Sequence, residues 1–182
     1  MTRRLTTLAI SVLVVTTGTA TAQDRGDVSA GYRFLQSEGL GYPLGWYVDA
    51  TRHVNRLISI VADVGGAYKN DSLSIGPFTQ SYDAGIHTFM GGLRVNATTK
   101  QPDVIAFGQA LVGAAHLSTT TAASGVVLSR SATEPALNLG AGVDVNGGIP
   151  VGLRFEIGWV RVFAEDNGAN VFHFGVGAKF RF

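Results

Sequence analysis

Residues 171–182 alternate without a break. Phe172, Phe174, Val176, Ala178, Phe180 and Phe182 share one face, and His173, Gly175, Gly177, Lys179 and Arg181 share the other. A period of two is the signature of a β-strand, because successive side chains point to opposite sides. One face of this strand is continuously apolar and the other is small or charged, so the two faces meet different surroundings.

The same alternation recurs upstream. Val151, Leu153, Phe155, Ile157 and Trp159 oppose Gly152, Arg154, Glu156 and Gly158; Leu137, Leu139, Ala141, Val143 and Val145 oppose Asn138, Gly140, Gly142 and Asp144; Tyr42, Leu44, Trp46 and Val48 oppose Gly45, Tyr47 and Asp49. In all, the pattern predicts eight strands, over residues 27–36, 42–51, 57–69, 87–98, 104–117, 136–146, 150–163 and 170–182. Most are long enough for a tilted membrane strand, which needs about 9–11 residues. The strand at 104–117 does not declare its facing: Phe107, Gln109 and Leu111 share a phase, and the other phase is mainly small and apolar.

Connections alternate in length. The stretches 70–86 and 118–135 read as long loops at one end of the sheet, and short turns at His53–Arg56, Thr99–Asp103 and Gly147-Gly148 fall at the other. An even number of strands brings both termini to the short-turn end. Transmembrane barrels are built this way, with short periplasmic turns and longer external loops.

The polar face carries Arg33, Arg94, Arg154 and Lys179 against Asp49, Asp63, Asp144 and Glu156, beside many of the chain's 24 glycines. A soluble exterior would be roughly 25–35% charged and not glycine-rich. A narrow lumen, in which long charged side chains lie over small ones, fits better. An Arg turned to lipid at the midplane costs roughly 2–4 kcal/mol, so the separation of charge from the apolar face carries physical weight. Aromatic residues at the loop ends (Tyr32, Phe34, Trp46, Tyr68, Phe89, Trp159 and Phe172 among them) suit an interfacial girdle.

Residues 1–22 read as a cleaved secretory signal: Arg3 and Arg4, an apolar stretch from Leu5 to Val15, and an A-x-A site at Ala20-Thr21-Ala22. The barrel domain is then 23–182. Composition agrees, with 46% hydrophobic and only 15% charged residues. A formal charge of +1 without a basic run argues against nucleic-acid binding, and the absence of cysteine excludes disulfide scaffolds, thiolate metal sites and cysteine nucleophiles.

These features together resemble the small eight-stranded outer-membrane barrels of Gram-negative bacteria, the OmpA-transmembrane and OmpX-like group. The resemblance covers the whole mature chain. It rests on the leader, the eight strands, the loop alternation, the closing strand Val171–Phe182 and the stretch Gly140-Ala141-Gly142-Val143-Asp144-Val145. It implies an all-β, eight-stranded antiparallel up-and-down transmembrane barrel in the outer membrane, in contact with outer-membrane lipid and lipopolysaccharide. It also implies that Phe172, Phe174, Phe180 and Phe182 form the C-terminal signal read by the barrel assembly machinery. Such barrels include structural, adhesive and enzymatic members, so fold alone does not give function.

Three constellations invite chemistry. His116 and Ser118 share a strand face, with Glu134 beyond the following loop; a histidine that activates a hydroxyl and a carboxylate that orients the histidine make a nucleophilic site. This is similar to the His-x-Ser of lipid A deacylases, although Thr119 follows the serine where those enzymes carry asparagine. The plainer reading is a loop-end histidine beside a solvated Ser/Thr tract. His87, His116 and His173 near one barrel end, with Asp83 or Asp166, outline a rim metal site of undiagnostic spacing; interfacial polar residues and a single lumen histidine account for them as well. Arg25-Gly26-Asp27 spells an adhesion tripeptide just after the cleavage site, where the chain faces the periplasm.

The expected protein is therefore a non-enzymatic surface barrel without cofactor or metal, which supports the envelope or offers loops 70–86 and 118–135 to an extracellular ligand. Those loops contain Leu73–Phe78 and Val126-Val127-Leu128, apolar patches of the kind that mark contact surfaces. The alternatives are a lipid A-modifying enzyme and a soluble periplasmic ligand-binding barrel with the apolar face turned inward.

Overall fold

A computed structural model describes residues 26–37, 40–75, 78–97, 103–123, 126–147, 149–164 and 168–182; the proposed leader lies outside them. The described chain is nine strand segments: β1 (Gly26–Ser37), β2 (Leu40–Tyr42), β3 (Leu44–His53), β4 (Ile58–Ile75), β5 (Phe78–Ala97), β6 (Val104–Ala123), β7 (Val126–Asn146), β8 (Val151–Val162) and β9 (Ala169–Arg181). β2 and β3 are two parts of one stave. The register against β1 slips by one residue between Tyr32↔Trp46 and Leu35↔Tyr42, which leaves Pro43 as the extra residue of a bulge. Proline has no N–H to give a ladder, and a bulge is where a strand tolerates it.

Each stave pairs antiparallel with the next, and β9 closes on β1 from Asp27↔Arg181 to Ser37↔Val171. The eight staves form a closed barrel. Stepping across partners from Gly26 leads through Arg52, Ile60, Leu93, Ala110, Leu139, Trp159 and Phe172 to Gln36, ten residues beyond the start. A shear of ten on eight strands, at about 3.3 Å per residue and about 4.8 Å between strands, tilts the strands by about 40°. Such a barrel leaves an interior that side chains just fill.

Burial is inside-out relative to a soluble protein. Ile157 is 61% exposed while its neighbour on the other face, Glu156, is 2% exposed, and Arg154 is fully buried. Leu93, Phe89, Leu153 and Phe174 likewise point outward. The soluble barrel with an inward apolar face is therefore overturned: along Val151–Trp159 of β8 and Phe172–Phe180 of β9 the large apolar side chains that a water-soluble fold would hide are on the outer wall.

The facing of β6 is settled by Phe107, Gln109, Leu111 and Ala115, all buried. Its outer phase is Ala106, Gly108, Ala110, Val112 and Ala114. Glycine is required where a long side chain must lie flat on the wall. A Cβ at Gly142 would meet Phe107 Cζ at 2.5 Å, and one at Gly175 would meet Glu156 Cγ at 2.8 Å.

The expected long loops are corrected. β4 and β5 stay paired from Ile58↔Val95 out to Ile75↔Phe78, and β6 and β7 from Val104↔Val145 out to Ala123↔Val126. Most of 70–86 and 118–135 is strand. The β3 partner of β4 ends at Tyr68, and the β8 partner of β7 ends at Ala136. β5 and β6 remain paired as far as Gln80↔Ala123. A four-stranded sheet, β4–β7, thus rises beyond the barrel wall on one side. The seven residues Lys69–Ile75 alone extend it by roughly 20 Å along the strand.

Candidate functional site

The lumen at the turn end is organised on two arginines. Arg154, on β8, is fully buried. It donates from Nε and Nη2 to Asp144 at 2.7 and 2.9 Å, from Nη1 to both oxygens of Asp49 at 2.7 and 2.6 Å, and from Nη2 to Asp27 at 3.2 Å. Lys179 Nζ donates to Asp144 Oδ2 at 2.7 Å. Arg94 gives Nε and Nη2 to Gln109 Oε1 and Nη1 to Thr51, and lies 3.6 Å from Asp49. The Phe107 ring sits beneath both guanidinium groups, 4.2 Å from Arg94 Cζ and 5.1 Å from Arg154 Cζ. A ring face attracts a cation, and the planar fork of arginine satisfies several carboxylates at fixed angles.

Farther in, Arg33 forks onto Asp63 through Nη1 and Nη2 at 3.0 and 2.8 Å, and onto Glu156 Oε1 through Nε and Nη2. Tyr47 lies under it, 4.6 Å from Cζ to ring centroid. Arg33, Asp63 and Glu156 form one cluster, and Arg94, Arg154, Lys179, Asp49 and Asp144 form the other. Asp27 joins the second cluster, although it is not among the lumen charges expected from the sequence. Its parity with Ser29, Gly31 and Arg33 on β1 was the available signal. Of the adhesion tripeptide, Arg25 lies outside the described residues, and Asp27 is buried against Arg154 rather than offered to a receptor.

With Asp27, five buried carboxylates face four cations, and His53 stands 3.2 Å from Asp27. His53 Nδ1 is also 2.7 Å from Ser59 Oγ. Asp27, His53 and Ser59 therefore follow the order of a nucleophilic relay, but Ser59 has no exposed surface and takes a second hydrogen bond from Asn96. The array ties β1, β3, β4 and β5 together at the barrel mouth.

Beyond the charges the lumen turns apolar. On each strand the apolar residue stands on the far side of the charged one: Leu35 beyond Arg33, Ala67 beyond Asp63, Val160 and Val162 beyond Glu156, Ile86 above Arg94, Ala136 above Asp144. With Met90, Leu111, Ala115 and Val171 they pack as one cluster. The void between the two regions, bordered by Arg33, Thr88, Asn138 and His173, is about 10 Å³, room for one water at most. An eight-stranded barrel has an interior that side chains just fill, and these charged and apolar clusters occupy it at two levels.

The proposed relay at His116, Ser118 and Glu134 does not assemble. His116 Nδ1 is hydrogen-bonded to Thr133 Oγ1 at 2.8 Å, and Ser118 Oγ reaches only Gly85 O at 3.5 Å. Glu134 pairs with Ala115, whose face is the lumen, so it points to the other side of the wall. The rim metal site is undone by the same parity. His87 and His116 are direct partners on the outer face, His87 bound to Tyr68 OH at 2.9 Å. His173 is inside, 3.2 Å from Asn138. Among the described residues no three potential ligands gather; Asp166 lies outside them.

No family model matches the chain, and no curated protein matches it by sequence. Solved structures do. The chain is similar to Ail, the attachment invasion locus protein of Yersinia pestis, with a TM-score of 0.60 at 18% identity over 86% of this chain and 97% of Ail. It is similar to Neisserial surface protein A with a TM-score of 0.63 at 13% identity, over 86% and 96% of the two chains. A protease, OmpT of Escherichia coli, gives 0.51 at 8% identity over 90% and 99%. The fold is that of the bacterial outer-membrane β-barrels. At these identities the likeness is one of architecture, and the outer-membrane barrel described above differs from an open pore in that its lumen is closed twice, by ion pairs and by an apolar cluster.

Proposed function

We propose that the protein is a non-enzymatic outer-membrane barrel whose closed lumen anchors the β4–β7 sheet and presents it to a polypeptide outside the cell. The observation that carries this reading is the sheet itself. Four strands continue past the wall, and two of their edges, Lys69–Ile75 on β4 and Val126–Glu134 on β7, have no strand partner on one side among the described residues. An unpaired edge offers a row of backbone donors and acceptors to an extended chain. Val127 and Leu128 are exposed at its tip, and apolar side chains there add contact area.

Charge favours a polypeptide over a polyanion. Ail has been solved with the heparin analogue sucrose octasulfate, and a sulfated ligand calls for clustered cations. On the described part of this sheet Lys69 is 3.1 Å from Asp71, and Arg130 is offset by Asp83 and Glu134. The balance is one negative charge. The outward Phe172, Phe174, Phe180 and Phe182 fit a C-terminal assembly signal, and the apolar wall fits contact with outer-membrane lipid.

The test shortens both hairpins so that they turn at the level of Tyr68 and His116. Intact cells are then compared for adhesion to immobilised extracellular polypeptides and to sulfated glycan. The expected result is loss of polypeptide adhesion with the band still shifting between cold and boiled electrophoresis. Unchanged adhesion of the trimmed protein would overturn the reading. So would release of fatty acid from lipid A by the wild type that Ser118→Ala abolishes.

A further inference from the structure

On the outer wall, where β8, β9 and β1 run side by side, a groove of about 480 Å³ is lined by Gln36, Ser37, Trp159, Asn170 and Phe172. The register builds it: Gln36 is opposite Phe172, Phe172 is opposite Trp159, and Asn170 is opposite Arg161. Outward residues read Phe155, Ile157, Trp159, Arg161 along β8 and Val176, Phe174, Phe172, Asn170 along β9 towards the same end. Within one residue pair the wall changes from aromatic to a guanidinium and carboxamides. That is the level at which a hydrocarbon layer gives way to headgroups.

Among the described residues Arg161 is bound only to neutral acceptors. Nη1 donates to Gly168 O at 3.3 Å and to Asn170 Oδ1 at 3.1 Å. A guanidinium has five N–H groups, and the remaining three, on Nε and Nη2, have no protein acceptor among the described residues. The lumen arginines Arg33 and Arg154, by contrast, are each matched to carboxylates. Arg161 is also the one arginine or lysine on the outer wall at this level among the described residues; Arg52, the other outward arginine of the described barrel wall, is at the turn end.

We infer that this groove is a binding site for the phosphate-bearing headgroup of an outer-leaflet lipid. The free edge of the Arg161 fork takes phosphate oxygens, as guanidinium–phosphate pairing favours. The Gln36 and Asn170 carboxamides take hydroxyl or ester groups, and acyl chains lie along Phe172, Phe174 and Ile157. A free phosphate would find the charge but forgo the apolar contact. The inference rests on the lipid-facing assignment of the wall.

The test uses the full mature protein in detergent micelles. Retention of lipid A, of lipid A stripped of its phosphates, and of inorganic phosphate is read by native mass spectrometry. Wild type is expected to hold phosphorylated lipid A about tenfold more tightly than the stripped lipid, the scale of one charge-assisted hydrogen bond. Arg161→Gln removes that preference, Arg161→Lys restores part of it, and Arg52→Gln leaves it intact. Equal retention of both lipids, an unaltered preference in Arg161→Gln, or binding of inorganic phosphate alone would each overturn the proposal. Cold and boiled electrophoresis of each variant reads the barrel separately. A protein that stays folded without detergent and shows no mobility shift would instead fail the membrane assignment itself.

Discussion

The two halves of the lumen are both filled by buried side chains and are held by different forces. At the turn end, Arg154 and Arg94 bind four strands' worth of carboxylates and amides around the Phe107 ring. At the hairpin end, Leu35, Ile86, Leu111, Val160 and Val171 meet as they would in a soluble core. The ion pairs are directional, so each member has assigned partners and its loss strands them. The apolar contacts are interchangeable, so a loss there leaves a void that neighbours partly fill. A barrel this narrow needs both: one half sets the geometry between staves, and the other seals it.

Arg154→Ala should be the most damaging single change. It leaves Asp27, Asp49 and Asp144 facing one another with Lys179 and Arg94 as the remaining Lys and Arg cations and His53 against Asp27. Removing one partner of a buried pair costs about 3–5 kcal/mol. Urea unfolding in lipid vesicles, followed by the electrophoretic shift, measures it. The variant should still give no stable single-channel conductance, because the apolar half remains shut. A large conductance in Arg154→Ala, or in the wild type, would break the division of labour.

Leu111→Ala should come next. Leu111 is fully buried in the apolar cluster, and a leucine truncated in a core costs about 2–5 kcal/mol, according to how far the site collapses. The same unfolding assay ranks it below Arg154→Ala. If it ranks above, the seal rather than the ion cluster dominates barrel stability. Asp63→Asn should cost less, about 1–3 kcal/mol, since Arg33 keeps Glu156 as a charged partner.

How much of this was written in the chain depends on what each face touches. β8 and β9 were legible residue by residue, because lipid on one side and ion pairs on the other enforce strict alternation. β6 was not, because its lumen phase supplies Phe107 and Leu111 to the interior while its outer phase is alanine, glycine and Val112; apolar meets apolar, and parity loses its contrast. The extensions of β4–β7 have the sequence character of loops for the complementary reason. Water wets both faces of a projecting sheet, so Thr119, Thr120 and Thr121 carry no alternation, and only backbone pairing reveals the strand. The eight charged lumen residues followed from parity, and Asp27 follows from the same rule. Glu134 failed as a partner for His116 once its strand extended, since the pairing with Ala115 turned it inward.

The smallest expected effect lies in that projecting sheet. Arg130→Ala and Leu128→Ser alter side chains that are exposed on the part of the sheet past the barrel wall, where substitutions usually stay within about 0.5 kcal/mol. Neither should move the unfolding midpoint measured for Arg154→Ala. They separate from each other in adhesion. Leu128→Ser removes apolar area at the tip and should weaken polypeptide binding by about tenfold, the loss of a single well-buried side chain. Arg130→Ala should change it little at physiological salt, because an exposed cation is screened there. A reversal of that order would move the recognition from the apolar tip to charge, and a stability loss in either variant would mean that the sheet is part of the barrel's own packing.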